Sequence, residues 1–185
     1  MRLTDGETIA DAEHRAVVIL AAAPELTVTW SRYGAGEHGP TAHVHREHTD
    51  AFYVLTGEVT FEVGPDAEQV SAAAGTFVAV PPNVVHAFVN RSDAPATYLN
   101  MHAPDTGFAA YLRAAREGRQ EAWDSFDPPA DGGRAIADVV VSPPGEGVRY
   151  RTAELHVAEG EPGDGLRYEL PNGRTLTVRA SAIES

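Results

Sequence analysis

Short apolar stretches whose polarity alternates at every second position dominate the first hundred residues. Val59, Phe61 and Val63 fall on one face of an extended chain, and Glu58, Thr60 and Glu62 fall on the other. Strands are expected over 26–33, 41–45, 51–55, 58–63, 76–80, 84–90 and 96–102. Gly57, Gly64 with Pro65, Gly75, the run Pro81, Pro82 and Asn83, and Ser92 with Asp93 separate them. Seven short strands with no long helix between them predict an all-β sandwich, jelly roll or closed barrel.

The period then changes. Residues 105–119 read as a helix, with an Asp-Thr start and Phe108, Tyr111, Leu112 and Ala115 on one face. Arg113, Arg116 and Arg119 lie toward its C-terminal end, where the helix dipole favours cations, and Gly118 is placed to end it. Residues 127–133 (DPPADGG) read as a linker or long loop. Further strands are expected over 136–141, 149–157, 166–170 and 175–178, with Asn172 and Gly173 as a hairpin turn. The division that follows is an N-terminal arm or strand (1–25), a barrel (26–103), a helix packed on it (104–127), and a linker with a β tail (128–185). That tail is too poor in core residues to stand alone, so it should extend the barrel's sheet or be exchanged in a dimer.

At 185 residues the chain suits one domain with a sizeable core. A formal charge of −13 argues against nucleic acid or an anionic membrane surface as partner. With no cysteine, disulfides, zinc–thiolate sites and thiol nucleophiles are excluded. The apolar run over 16–24 is too short to span a bilayer, and residues 1–9 lack the pattern of a secretory signal; a cytoplasmic location is the expectation.

Two segments carry candidate chemistry. In the first, His43-Val-His45 puts two imidazoles on one strand face, about 6.5–7 Å apart along the chain, close enough to converge on one ion. Asp50 lies across a short turn and can bring a carboxylate from the neighbouring strand, while His86 follows a proline turn in the second segment. Three imidazoles and a carboxylate make a nitrogen/oxygen site suited to Fe, Mn, Ni, Cu or Zn rather than calcium. Glu47 and His48 are the other candidates for the fourth position, with His48 expected on a solvent-facing turn.

These segments resemble the two motifs of the cupin superfamily. His43-x-His45 is followed by four residues, Asp50 in the place of the family's glutamate, six residues and Gly57. Gly39 stands three residues ahead of His43, where the motif has five. In the second motif Gly75, Pro81, His86 and Asn90 all match, and Asn83 replaces the central glycine. Asn tolerates the left-handed conformation a glycine would adopt there. The resemblance covers about residues 26–103 and implies a double-stranded β-helix, or jelly-roll barrel, with one C-terminal helix and a short β tail.

The resemblance carries metal-ligand roles to His43, His45 and His86, and with them to Asp50, which is one methylene shorter than the family's residue. It implies one divalent transition metal, iron or zinc favoured, and no organic cofactor. Strand parity suggests a substrate pocket with Phe52, Phe88, Tyr98 and Asn100, and Trp30 and Arg32 are candidates to reach it from the first strand. Asp50 and His102 are the candidates for a catalytic base. Similarity to small single-barrel members, including quercetinase-like dioxygenases and polyketide cyclases, implies a metal-dependent enzyme on a small organic molecule. Dioxygenase chemistry is the expectation, with an isomerase or cyclase, or a non-enzymatic binding barrel, as alternatives. Exposed strand edges make a homodimer the expected assembly.

Overall fold

The computed structural model describes residues 5–146, 149–151, 156–159, 166–170 and 172–178. Strands β1 (Glu7–Asp11), β2 (Arg15–Ala23), β3 (Leu26–Tyr33), β4 (Thr49–Thr56), β5 (Glu58–Val63), β6 (Glu68–Ala73), β7 (Phe77–Val80), β8 (His86–Val89) and β9 (Ala96–Ala103) come first. Helix α1 (Phe108–Arg116) follows, then β10 (Val140–Ser142) and a four-strand tail of β11 (Arg149–Arg151), β12 (His156–Glu159), β13 (Leu166–Glu169) and β14 (Thr175–Val178). The order β1-β2-β3-β9-β4-β7-β10 makes one antiparallel sheet, and β6-β5-β8 makes the smaller sheet facing it. This is the expected jelly roll, with one C-terminal helix and a short β tail.

The large sheet is buried on both faces, which explains its near-continuous apolar strands. One face, with Phe52, Val54, Val78, Val80 and Tyr98, meets Val59, Phe61, Val63 and Phe88 inside the barrel. The opposite face, with Val18, Leu26, Val28, Trp30, Leu99 and Met101, packs against Tyr150, Val157, Leu166 and Tyr168 of the tail. Full burial of each such side chain contributes about 1.5–3 kcal/mol, so covering this outer face is a large favourable term. The tail's β11 to β14 form a sheet of their own, while β10 alone extends the barrel by pairing with β7. The run over 16–24 is β2, paired with β3 from Arg15↔Tyr33 to Ala23↔Leu26. Its apolarity reflects burial against the tail.

Helix α1 is shorter than the expected 105–119. Asp105 lies two residues ahead of the N-cap Gly107, and its Oδ1 accepts from the N–H groups of Gly107 and Phe108, which closes a turn before the helix rather than a helical turn. Arg113 and Arg116 both reach Glu7 on β1, at 2.8 and 2.9 Å, which holds the helix across the barrel mouth. Among the described residues, no helix is long and apolar enough to cross a membrane.

Candidate metal centre

The two histidine segments meet through the backbone. His43 N–H donates to His86 C=O at 3.0 Å and His86 N–H to His43 C=O at 2.9 Å, which sets the two imidazoles side by side, 4.3 Å between ring centres and tilted by 47°. Asn83, two residues beyond Pro81, sits at φ 67°, in the left-handed region that the motif's glycine would fill. That turn delivers His86 to its place, and Asn83 N–H closes it onto His45 C=O at 2.6 Å.

Each of the three rings has its Nδ1 committed to a backbone carbonyl: His43 to Thr41, His45 to Asp124 and His86 to Val84. Nδ1 therefore carries the hydrogen in each, and each Nε2 presents a lone pair. These atoms gather within 4.8 Å of one another. Asp50 Oδ2 joins them, 3.3 Å from His86 Nε2 and 3.6 Å from His45 Nε2. His45 Nε2 is buried with no hydrogen-bond partner. Four acceptors thus converge with no proton to share, in a place where His43, His45, His86 and Asp50 are all buried.

Electrostatics sharpen the point. Burial, then the neighbouring His86 and His45, pushes His43 down to about 3, so its ring is neutral. Burial alone would raise the Asp50 carboxyl, but His102, His45 and His86 outweigh it and hold it well below the usual carboxylate range. A buried, ionised carboxylate among converging imidazole nitrogens is a nest for a cation. A divalent transition metal fits this donor set.

A second group of side chains stands beside the first. Asn100 Nδ2 donates to Asp50 Oδ1 at 2.5 Å and to Ala51 C=O at 3.2 Å, which fixes its amide. Its Oδ1 therefore faces His102 Nε2 at 2.9 Å as an acceptor. His102 Nδ1 lies 2.8 Å from His48 Nε2, and His48 Nδ1 lies 2.8 Å from Asp124 Oδ2, with Thr106 Oγ1 at 2.7 Å. Burial pushes His48 down to about 4 and His102 well below the ordinary histidine value, against the charges of Asp50 and Asp124, and the chain from Asn100 Oδ1 to Asp124 Oδ2 is fully donated only when one of the two rings carries a second proton.

The expectation that His48 faces solvent is corrected: it is fully buried. The chain returning after α1 lays Asp124 and Trp123 over it, with the Trp123 ring 5.9 Å from His48 and 5.0 Å from His45. Glu47 is exposed, its N–H held by Asp124 at 2.8 Å, and its side chain lines a cleft on another side of the molecule.

A cavity of about 240 Å³ opens onto His43, Asp50, Asn100 and His102. Phe88 and Tyr98 line it, as parity suggested, and Phe52 lies just beneath with its ring against both. Trp30 and Arg32 do not line it, which corrects their placement. The apolar even positions of β3, Leu26, Val28 and Trp30, face the tail, while Arg32 reaches Ala12 C=O. The polar odd positions Thr29 and Ser31 turn inward with Tyr33. That alternation is visible in the sequence, and the polar face is the one turned to the cavity. Phe108, Tyr111 and Leu112 of α1, together with Trp123, complete the wall. No motif marked Trp123 or Asp124, because their role depends on where the returning chain lands.

The cupin-domain family model matches residues 29–102, the stretch that contains all the histidines of the centre and the strands that carry them. Residues 29–102 are a cupin domain. Among solved structures, KdgF from Halomonas sp. is similar at 20% identity, covering 55% of this chain and 88% of that one, with a TM-score of 0.48. An RmlC-like cupin from Shewanella frigidimarina NCIMB 400 shares 25% identity over 55% of this chain and 86% of its own, with a TM-score of 0.47. Streptomyces Pac13, a nucleoside dehydratase, shares 18% over 55% and 78%, at 0.44. No protein with a curated description matches the chain. Outside residues 29–102, strands β1 and β2, helix α1, β10 and the tail sheet pack around the domain.

Proposed function

We propose that this cupin is a metal-dependent enzyme acting on a small organic molecule, with oxygenase chemistry as its reaction class. The observation that carries the reading is the set of three imidazole Nε2 lone pairs, each tautomer fixed by a backbone carbonyl, converging with the Asp50 carboxylate at the cavity wall. His43, His45, His86 and Asp50 would hold the ion, iron or zinc in preference. When bound it supplies a Lewis-acid centre, and iron adds one-electron chemistry toward dioxygen.

The remaining residues have roles of their own. Asn100 holds Asp50 in orientation through its Nδ2–H. Phe88, Tyr98, Phe108 and Trp123 wall the cavity with apolar surface and exclude water from it. His102 lines the cavity as the acid of the site, its Nε2–H held by Asn100 Oδ1, with His48 and Asp124 behind it as positioning residues. That chain of two imidazoles and a carboxylate favours a second reading, an isomerase or cyclase that works by proton transfer alone.

A homodimer belongs to the same proposal, supported by β1 lying, among the described residues, at the edge of the large sheet. Within one chain the tail already covers its own barrel, so exchange between subunits is not needed to bury it.

Elemental mass spectrometry on tag-free protein, beside His86→Ala, tests the centre. Near-stoichiometric metal that disappears in the variant is the expected result, and an absence of metal with no uptake on addition would overturn it. Oxygen consumption with candidate substrates then separates the reaction classes. Turnover without oxygen uptake favours the isomerase reading, and saturable binding without turnover would leave a binding barrel.

A further inference from the structure

Helix α1 roofs the cavity without being packed into a core. Its buried residues are two alanines, Ala109 and Ala114, while its large apolar side chains Phe108, Tyr111 and Leu112 are half-buried and face the cavity. The Phe108 ring lies 3.7 Å from the His102 ring, centre to centre. Trp123, on the chain returning from the helix, stacks on Tyr111 at 5.3 Å. Under this roof the groups facing the cavity are closed off: His43 is 6% exposed, Asp50 3% and His102 2%. A molecule that is to touch all three has to pass a roof that moves.

Both ends of the helix are flanked by glycines at positive φ, Gly107 at 101° and Gly118 at 70°, and glycine changes backbone conformation at little cost. Around Gly118 there is open space, since a Cβ placed there would meet nothing within 4 Å. The helix is held to the barrel rim by charge. Glu7 of β1 receives Arg113 at 2.8 Å and Arg116 at 2.9 Å, and Arg116 also donates to Thr8 C=O at 3.0 Å. These three charged side chains are 33%, 42% and 37% exposed, and ion pairs so open to water hold weakly. The chain beyond the helix is fixed by contrast. Val44 and Phe126 exchange backbone hydrogen bonds at 2.9 and 3.0 Å, and Asp124 grips the 46–48 turn. The movable unit is therefore the helix between its two glycines.

We propose that α1 is a lid over the cavity, swinging between Gly107 and Gly118 and latched to β1 by Glu7 through Arg113 and Arg116. Phe108, Tyr111 and Leu112 lift away with it, while Trp123 stays on the fixed return segment and is uncovered. The lid governs entry to the proposed metal centre, and it rests on that reading only for the zinc measurement below.

The test fastens the lid shut. The chain has no cysteine, so Glu7→Cys with Arg113→Cys supplies two thiols that a short bis-methanethiosulfonate reagent joins and a reductant releases. In zinc-loaded protein, joining should slow extraction of zinc by excess chelator about tenfold or more, and reduction should restore it. In metal-free protein, joining should lower acrylamide quenching of Trp123, with Trp123→Phe giving the background from Trp30, the chain's other tryptophan. Glu7→Gln keeps the test open if the double variant fails to fold. It should raise the rates of zinc uptake and extraction together severalfold and leave zinc affinity within about twofold, because a lid speeds passage in both directions. Equal extraction rates in the joined and released protein, or equal quenching of Trp123, would overturn the inference. So would a Glu7→Gln variant that shifts zinc affinity and not the rates. If the protein takes up no zinc the metal centre falls, and the quenching of Trp123 alone decides the lid.

Discussion

Replacing Asp124 with alanine removes the acceptor on which the 46–48 turn closes, and the structure sets the size of the effect. The carboxylate accepts from Arg46 N–H at 3.0 and 3.1 Å, from Glu47 N–H at 2.8 Å and from His48 Nδ1 at 2.8 Å. Arg46 and Glu47 are exposed, so their amides regain water and lose about 0.5–1 kcal/mol each. His48 is fully buried, and although Thr106 Oγ1 stays 2.7 Å from its Nδ1, the loss of the charged acceptor costs about 1–3 kcal/mol. The sum, about 2–5 kcal/mol, is a large part of a small domain's stability. The same turn carries His45, so metal affinity should fall by about 10- to 100-fold as well.

Urea unfolding and competitive metal titration read the two effects. A loss under about 1 kcal/mol, with metal affinity unchanged, would refute the reasoning. Titration adds a second check. Burial would raise the Asp124 carboxyl, but the N–H groups of Arg46 and Glu47, together with His48, outweigh it and hold it below the ordinary value. A carboxyl depressed in the folded state stabilises above its unfolded value, about 3.9, and that stability is lost as pH falls through the lower folded value. The gap between wild type and Asp124→Asn should therefore be flat from about pH 8 to 5 and close below about pH 4. A gap that widens in acid would contradict the assignment.

Asp50→Asn should keep the fold but weaken metal binding by about tenfold or more, since the one carboxylate of the donor set loses its charge; equal metal content in competition would count against its role. Gly39→Ala places a Cβ 2.6 Å from the Phe88 ring, so the cavity wall must shift. A lowered melting temperature is expected, and a wild-type value would show that the wall yields freely. Asn83→Gly should be nearly neutral and Asn83→Val destabilising by about 1–2 kcal/mol, because the position is left-handed; equal urea midpoints would show the turn is not strained. Tyr168→Ala empties a fully buried site between tail and barrel and should cost about 3–5 kcal/mol in a single urea transition. A barrel transition left at its wild-type midpoint would mean the tail folds apart from it.

Much of the barrel was legible because strands and turns are local. Alternation along 58–63 predicted β5 to the residue, and 26–33 likewise predicted β3. Strand β6 went unseen, since Glu68–Ala73 is mostly exposed and shows little alternation. Strand β2 went unread as a sheet member because an apolar run of that length does not say which two surfaces cover it. His43, His45, His86 and Asp50 stood out through spacing, and the backbone pairing of His43 with His86 brings them together as the motifs implied.

Choices between the two faces of a strand were harder. Trp30 and Arg32 were candidates for the cavity, yet their face meets a tail sheet contributed from more than a hundred residues away. Likewise His48 and Asp124 are 76 positions apart, and only the return of the chain after α1 places one on the other. The sequence by itself determined the strands, the turns and the donor types, because these depend on period, φ preference and ligand chemistry over a few residues. The tertiary structure alone decided which face is inside, which imidazole nitrogen is free and which donors are left unpaired. Those properties depend on what packs against each side chain, and the packing partners come from distant parts of the chain.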